Sequence, residues 1–294
     1  MYVITGATGN TGKIIAYKLL EAGKKVRIIS RNAEKAKEII KPGGQHQRDV
    51  GAGLQVQCPQ AGGNGGGPVE ELFLAQDAFM AGLDMHPDRV VRELDSLRLS
   101  EGKPQFTFEE LLIDGEDFMR LSRLMAALII KHMAHAADRE GLPAGEALLQ
   151  TAQAIFESRN PFVTADTPND LAALVAGFSL APYLHRARNA VISRISRDAW
   201  QRPYCPVCGG KPSFAALEQA SGTRILLCSR CSAEWAYARF GCAFCESSAE
   251  QVYYPGGDGL YRLYTCDGCK RYLKTIDCRQ AGRSVHLPVE WIVT

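Results

Sequence analysis

The sequence predicts an α+β multidomain protein in which an α-helical domain is followed by two tandem S4 metal modules, each with four cysteine ligands. Three observations lead to this class. The chain opens with a glycine-spaced strand–helix–strand pattern that stops early, its middle shows helical periodicity, and its last third carries four CxxC pairs. The indicated boundaries are 1–40 for an incomplete βαβ fragment, 41–68 for a Gly-rich linker, 69–200 for the α-helical domain, and 201–240 and 241–294 for the two modules.

The N-terminal fragment has the glycine spacing of a dinucleotide-binding turn. Residues 5–13 read TGATGNTGK after the apolar run MYVI, and Gly6, Gly9 and Gly12 would let the backbone approach a pyrophosphate at a helix N-terminus. This start resembles atypical short-chain dehydrogenases of the NmrA-like type, and Arg31 after the second strand would favour the 2′-phosphate of NADP. The pattern stops near residue 40, however, without the further strands that complete a binding crevice. We therefore expect these four residues to be non-functional and NADP not to bind.

Apolar periodicity indicates helices in the middle of the chain. Phe118, Leu121, Met125 and Ile129 recur at three- and four-residue steps, which places them on one helical face. The linker before this region is rich in Gly and Gln, a composition that buries too little apolar surface to offset the entropy of ordering. Proline lacks the backbone N–H that an interior helical position needs, so we expect the last helix to be interrupted near Pro182. The predicted helices beyond the first cover 69–82, 87–97, 144–158 and 168–199.

Eight of the ten cysteines form an internal repeat of CxxC pairs. Intervals of 19 and 20 residues separate the pairs within each copy, and the copies are offset by 37–38 residues. Each copy reads as knuckle, strand, glycine turn, strand, knuckle, so a hairpin can bring two pairs together into a tetrahedral S4 site. The predicted ligands are Cys205, Cys208, Cys228 and Cys231 for the first site, and Cys242, Cys245, Cys266 and Cys269 for the second.

Several points about these cysteines stay open in the sequence. Crossed pairing of the four knuckles and a redox-active CxxC are the alternatives, and both iron and zinc accept an S4 tetrahedron. Gly209, directly after the first knuckle, is expected to take a positive φ that opens the turn. Cys58 and Cys278 have no partner at ligand spacing and are expected to be ordinary thiols.

Charge and motifs exclude several classes of function. Residues 201–294 carry 11 Lys and Arg against 8 Asp and Glu, and two divalent S4 sites would leave this segment slightly negative, so nucleic-acid binding is not expected. No apolar run is long enough to span a membrane, and no basic segment typical of a signal peptide opens the chain, so we expect a cytoplasmic protein. Residues 69–294 contain no catalytic motif, which argues against an enzyme.

Longer stretches around the cysteines resemble the formate dehydrogenase accessory protein (FdhE) family over residues about 69–282. The resemblance is carried by RPYCPVCGGKPSFAAL (202–217), LLCSRCSAEWAYARFGCAFC (226–245), CDGCKRYLKTID (266–277) and LAPYLHRARNAVISRISRDAW (180–200). It implies an α-helical domain with two rubredoxin-like modules able to bind iron, and it carries all eight ligand positions over to cysteines here. It also implies a non-catalytic role in the maturation of respiratory formate dehydrogenase, acting on the catalytic subunit in the cytoplasm.

Three functional hypotheses therefore follow. The leading one is a maturation factor that binds the formate dehydrogenase catalytic subunit and carries two tetracysteine metal sites, with iron or zinc as the ion. The alternatives are an NADP-dependent oxidoreductase of the NmrA-like type, built on the N-terminal glycines, and a zinc-ribbon protein that binds nucleic acid.

Overall fold

The computed structural model describes two compact units, Met1–Val69 and Glu70–Thr294. Within them the described residues are 2–5, 16–17, 19–20, 26–29, 74–76, 78–79, 93–132, 145–158, 171–197, 199–247, 251–256 and 259–293. The predicted linker, 41–68, lies outside these residues, and the finer domain boundaries stay a prediction. Among the described helices, none combines the length and the apolar character needed to cross a membrane.

The first unit contains a parallel pair of strands. Strand β1 (Tyr2–Thr5) pairs with β2 (Val26–Ile29) in a register that places Tyr2 opposite Val26. Between them, Ala16 and Leu19 are helical and fully buried, three residues apart on one helical face. A parallel pair needs a crossover connection, and a helix is the usual one. The predicted strand–helix–strand start is thus confirmed for the described residues of this unit.

The second unit begins with helices that pack through apolar faces. The described helices are α1 (Ser96–Ser100), α2 (Gly115–His132), α3 (Gly145–Glu157) and α4 (Leu171–Val191), with 3₁₀ turns at Glu109–Leu111 and Ile192–Arg194. The Asp114 carboxylate accepts hydrogen bonds from the second and third N–H groups of α2, at 2.9 and 3.0 Å, and so caps its start. On α2, the predicted face of Phe118, Leu121, Met125 and Ile129 is buried, which confirms the periodicity.

Helix α4 continues through Pro182, so the predicted interruption is wrong. Pro182 cannot donate to the carbonyl of Phe178, four residues earlier. The side-chain amide of Gln76 takes that place and donates to the Phe178 carbonyl at 2.7 Å. Gln76 is itself only 3% exposed, so a buried side chain restores the bond that proline removes from the helix.

The cysteine-rich region forms one six-stranded sheet rather than two separate sheets. Its strands are β3 (Pro212–Leu217), β4 (Arg224–Cys228), β5 (Glu234–Tyr237), β6 (Gln251–Pro255), β7 (Tyr261–Cys266) and β8 (Tyr272–Asp277). The order is β5-β4-β3-β8-β7-β6, with antiparallel pairing inside each module. The two predicted hairpins, each with a glycine turn, are therefore confirmed.

The two modules join head to tail. The first strand of the first module, β3, pairs in parallel with the last strand of the second, β8, and Phe214 lies opposite Lys274. Beneath this junction, Phe214 and Ile276 pack in one buried cluster with Leu287, which begins the last helix, α5 (Leu287–Val293). The shared apolar cluster explains why the modules meet along these two strands.

Candidate metal centres

The eight predicted cysteines gather into two groups of four. The Sγ atoms within each group all lie within 4.8 Å of one another. The groups are Cys205, Cys208, Cys228 and Cys231, and Cys242, Cys245, Cys266 and Cys269. Neighbouring pairs along the chain therefore combine, and the described structure shows no crossed pairing between the modules.

All four CxxC turns have the same backbone design. In each, the N–H of the first cysteine donates to the carbonyl five residues later; Cys205 donates in this way to Gly210 at 2.8 Å. The residue after the second cysteine has a positive φ in every turn, with values of 72° at Gly209, 54° at Ser232, 59° at Glu246 and 59° at Lys270. The expectation for Gly209 is thus confirmed. The other three were missed because serine, glutamate and lysine give no sequence signal for this conformation.

The distances between sulfur atoms fit a tetrahedral metal site. Closest pairs are 3.5 Å apart in the first group, between Cys205 and Cys231, and 3.6 Å apart in the second, between Cys242 and Cys269. A metal–sulfur distance of about 2.3 Å requires sulfur atoms about 3.8 Å apart at the corners of a tetrahedron. Each group could therefore hold one metal ion with little movement.

Backbone N–H groups also point at the sulfur atoms. The N–H of Val207 donates to Cys205 Sγ, and that of Arg230 donates to Cys228 Sγ, each at 3.4 Å. In the second group the N–H of Phe244 donates to Sγ of Cys242 at 3.4 Å. Such bonds stabilise a thiolate more than a thiol, because the acceptor then carries a negative charge.

Burial sets the protonation of the free thiols. It raises the pKa of Cys205 and of Cys231 well above the ordinary range, since their sulfur atoms have no access to water. Burial also raises the pKa of Cys242 in the second group. Four adjacent thiolates repel one another, and a metal cation supplies the charge that stabilises them together. Metal binding at either group is therefore coupled to the release of protons.

The first group lies in the core between the helices and the sheet. All four of its cysteines belong to one buried cluster with Trp200, Trp235 and Leu180 of α4. The carbonyls of Pro206 and Val207, inside the first knuckle, accept hydrogen bonds from the N–H groups of Gln105 and Phe106 at 2.8 and 3.0 Å.

Arg230, inside the second knuckle, makes a further link to the helices. Its guanidinium donates to the carbonyls of Phe156 and Ser158 at the end of α3. A cation at this end complements the helix dipole and satisfies carbonyls that lack helical partners. Sequence reasoning missed this contact, because no local pattern pairs a knuckle arginine with a helix that ends more than 70 residues earlier.

The second group lies at the sheet, beside cationic side chains. The buried guanidinium of Arg224 donates to the Gly241 carbonyl at 3.0 Å, directly before Cys242. Arg271 stacks over the ring of Phe244, 5.4 Å from its centroid. These cations offset part of the negative charge that a tetrathiolate site carries.

The remaining predicted residues are placed as follows. Gly6, Gly9, Gly12 and Arg31 lie outside the described residues, as does Cys58. Cys278 is described and half-buried, and it belongs to neither tetracysteine group.

The fold and the two sites define a class of protein in which helices are joined to a sheet that carries two tetracysteine centres. Residues 204–239 match the model of the FdhE central domain. The chain is 26% identical over 199 residues to an FdhE homolog of Aquifex aeolicus, and 28% identical over 192 residues to the FdhE protein of Escherichia coli K12. The chain is thus a relative of the FdhE proteins, which confirms the resemblance seen in the sequence.

These matches cover part of each protein. The alignment with the Aquifex aeolicus protein includes 64% of this chain and 66% of the relative, and that with the Escherichia coli protein includes 60% and 58%. The chain thus spans less than two thirds of the length of either curated relative. The crystal structure of the FdhE protein from Pseudomonas aeruginosa aligns with a TM-score of 0.44 and 21% identity, covering 74% of this chain and 77% of that one.

Proposed function

We propose that this chain is a formate dehydrogenase accessory protein that binds the catalytic subunit in the cytoplasm during its maturation. It acts as a binding protein and not as an enzyme. The observation that carries the proposal is the pair of tetracysteine groups, whose sulfur atoms lie within 4.8 Å of one another, in a chain related to the FdhE proteins.

Each group holds one iron or zinc ion in this proposal. The ligands are the four thiolates of each group, since a soft sulfur set with tetrahedral spacing suits either metal. When bound, the ion supplies a cross-link between two knuckles that are too small to build an apolar core alone. The N–H groups of Val207, Arg230 and Phe244 then stabilise the thiolate charge.

Metal analysis of the purified protein tests the sites. We expect two ions per chain, one for each group of four cysteines. Cys278→Ser is the matched control, because this thiol lies in neither group and its loss should leave the metal content unchanged. Protein that is prepared anaerobically with iron and zinc supplied, and that still contains no metal, would contradict the assignment.

Co-purification tests the client. The full chain and a formate dehydrogenase catalytic subunit, produced together without oxygen, should form a complex that survives size-exclusion chromatography. An unrelated oxidoreductase subunit produced in the same way serves as the control and should not co-elute. Failure of the metal-replete chain to retain the formate dehydrogenase subunit would contradict the proposed partner and leave the metal assignment standing.

A further inference from the structure

The two tetracysteine groups differ in their access to solvent. In the first group the exposed fractions are 0% for Cys205, 3% for Cys208, 1% for Cys228 and 0% for Cys231. In the second group Cys242 and Cys266 are buried, but Cys269 is only half-buried and Cys245 is exposed. Identical ligand sets with the same turn geometry therefore stand in different surroundings.

The surroundings of the first group leave no route to its sulfur atoms. A Cβ atom placed on Gly210 would lie 2.8 Å from Cys228 Sγ, so even a methyl group does not fit there. The backbone of Gln105 and Phe106 covers the first knuckle, and Arg230 holds the second against the end of α3. A competing ligand can reach these sulfur atoms only after the contact between helices and sheet opens.

The second group is open on the side of Cys245. Glu246 beside it is exposed, and Phe240, just before this knuckle, is 83% exposed. Across the site, Lys270 pairs loosely with Asp267, at 3.3 Å, and both side chains are more than two-fifths exposed. An incoming thiolate or chelator can thus approach Cys245 Sγ from water without disturbing the sheet.

We propose that the second group is an exchangeable metal site, at which Cys245 is the first ligand displaced, whereas the first group holds a permanent structural ion. Exchange at a tetrahedral thiolate site begins when a new ligand approaches the ion, so access controls its rate. The ligands that enter are soft donors such as free thiols, and the ions exchanged are thiophilic divalent cations. This inference rests on the proposed metal sites and adds a difference in function between them.

Metal release from the full chain tests this proposal. Protein loaded with two Zn²⁺ ions is mixed with excess chelator, and released zinc is followed by a colorimetric indicator. We expect two phases of equal amplitude, with rates that differ by at least about tenfold, because the slow ion requires local opening of the core. Timed labelling with N-ethylmaleimide and peptide mapping should show Cys245 modified in the fast phase, before any cysteine of the first group.

Two matched variants assign the phases. Cys245→Ser and Cys208→Ser each remove the second cysteine of a CxxC pair, and the first should remove only the fast phase while the circular dichroism is kept. If Cys208→Ser fails to fold, the labelling order in the unaltered chain still decides. Equal release rates, or earlier labelling of the first group, would overturn this inference and leave both metal sites in place. Absence of zinc from the loaded protein would instead contradict the metal sites themselves.

Discussion

The side-chain amide of Gln76 donates a 2.7 Å hydrogen bond to the main-chain carbonyl of Phe178, the carbonyl that Pro182 leaves without its helical donor. The contact joins residues 102 positions apart in the chain. An unpaired carbonyl in a buried helix costs free energy comparable to a lost hydrogen bond. The proline is therefore tolerated inside α4 because a side chain from another helical segment completes the backbone.

Replacing Gln76 should expose this dependence. Gln76→Leu keeps an apolar side chain of similar size but removes the donor, so we expect the free energy of unfolding to fall by about 1–3 kcal/mol. The measurement is chemical denaturation, combined in a double-mutant cycle with Pro182→Ala. Alanine restores the N–H at position 182, so the loss from Gln76→Leu should shrink by about 1 kcal/mol or more in that background. Additive effects would contradict the proposed role of Gln76.

Gly209→Ala should destabilise the first tetracysteine centre. Its φ of 72° is costly for any residue with a Cβ, and the added Cβ would lie 3.1 Å from Cγ of Pro104. The backbone strain alone is about 1–2 kcal/mol. We expect a lower melting temperature and faster loss of metal to a chelator. Lys270→Gly, at the equivalent position of another knuckle, is the control of opposite sign, and a stability loss there would contradict the strain argument.

Asp277 should account for part of the acid sensitivity of the sheet. Its buried carboxylate accepts a bidentate hydrogen bond from Arg279, with both distances 2.8 Å, and pairs with Arg262. The Arg279 contact and the charge of Arg262 hold the pKa of Asp277 below its model-peptide value of 3.8. Because the folded-state pKa is the lower one, this stabilisation is complete above that value and is lost as the pH falls through the folded-state pKa.

Asp277→Asn should therefore lower the free energy of unfolding at neutral pH by about 2–3 kcal/mol and flatten its fall in acid. Urea denaturation at a series of pH values measures both effects. Arg197→Gln is the matched control, because its pair with Glu218 is solvent-exposed and should contribute less than about 1 kcal/mol. An unchanged acid limb in Asp277→Asn would show that another carboxylate sets the pH dependence.

Arg230→Met should weaken the contact between the first centre and the helices. The substitution keeps an apolar stem but leaves the carbonyls of Phe156 and Ser158 without this donor, at an expected loss of about 1.5–3 kcal/mol. Metal content should stay at two ions per chain, since the Arg230 side chain is not a ligand. Hydrogen exchange should increase at the end of α3. Arg239→Met, at an exposed position, should change neither quantity.

The identities of the clustered cysteines could be predicted because their signal is local. Two CxxC pairs joined by a hairpin of 19 or 20 residues fold back on themselves, so neighbouring pairs meet whatever surrounds them. The face of α2 could be predicted for the same reason, since its period is set by helix geometry. The passage of α4 through Pro182 could not, because the compensating donor, Gln76, belongs to a distant segment.

The sequence by itself determined the repeat, the two groups of four cysteines and the strands between them, because these depend on spacing within one hairpin. Only the tertiary structure decided that β3 and β8 join the modules into one sheet, since that junction depends on apolar packing among Phe214, Ile276 and Leu287. It also decided that one centre is enclosed and the other open. Burial depends on which elements cover a site, and no spacing within a CxxC repeat contains that information.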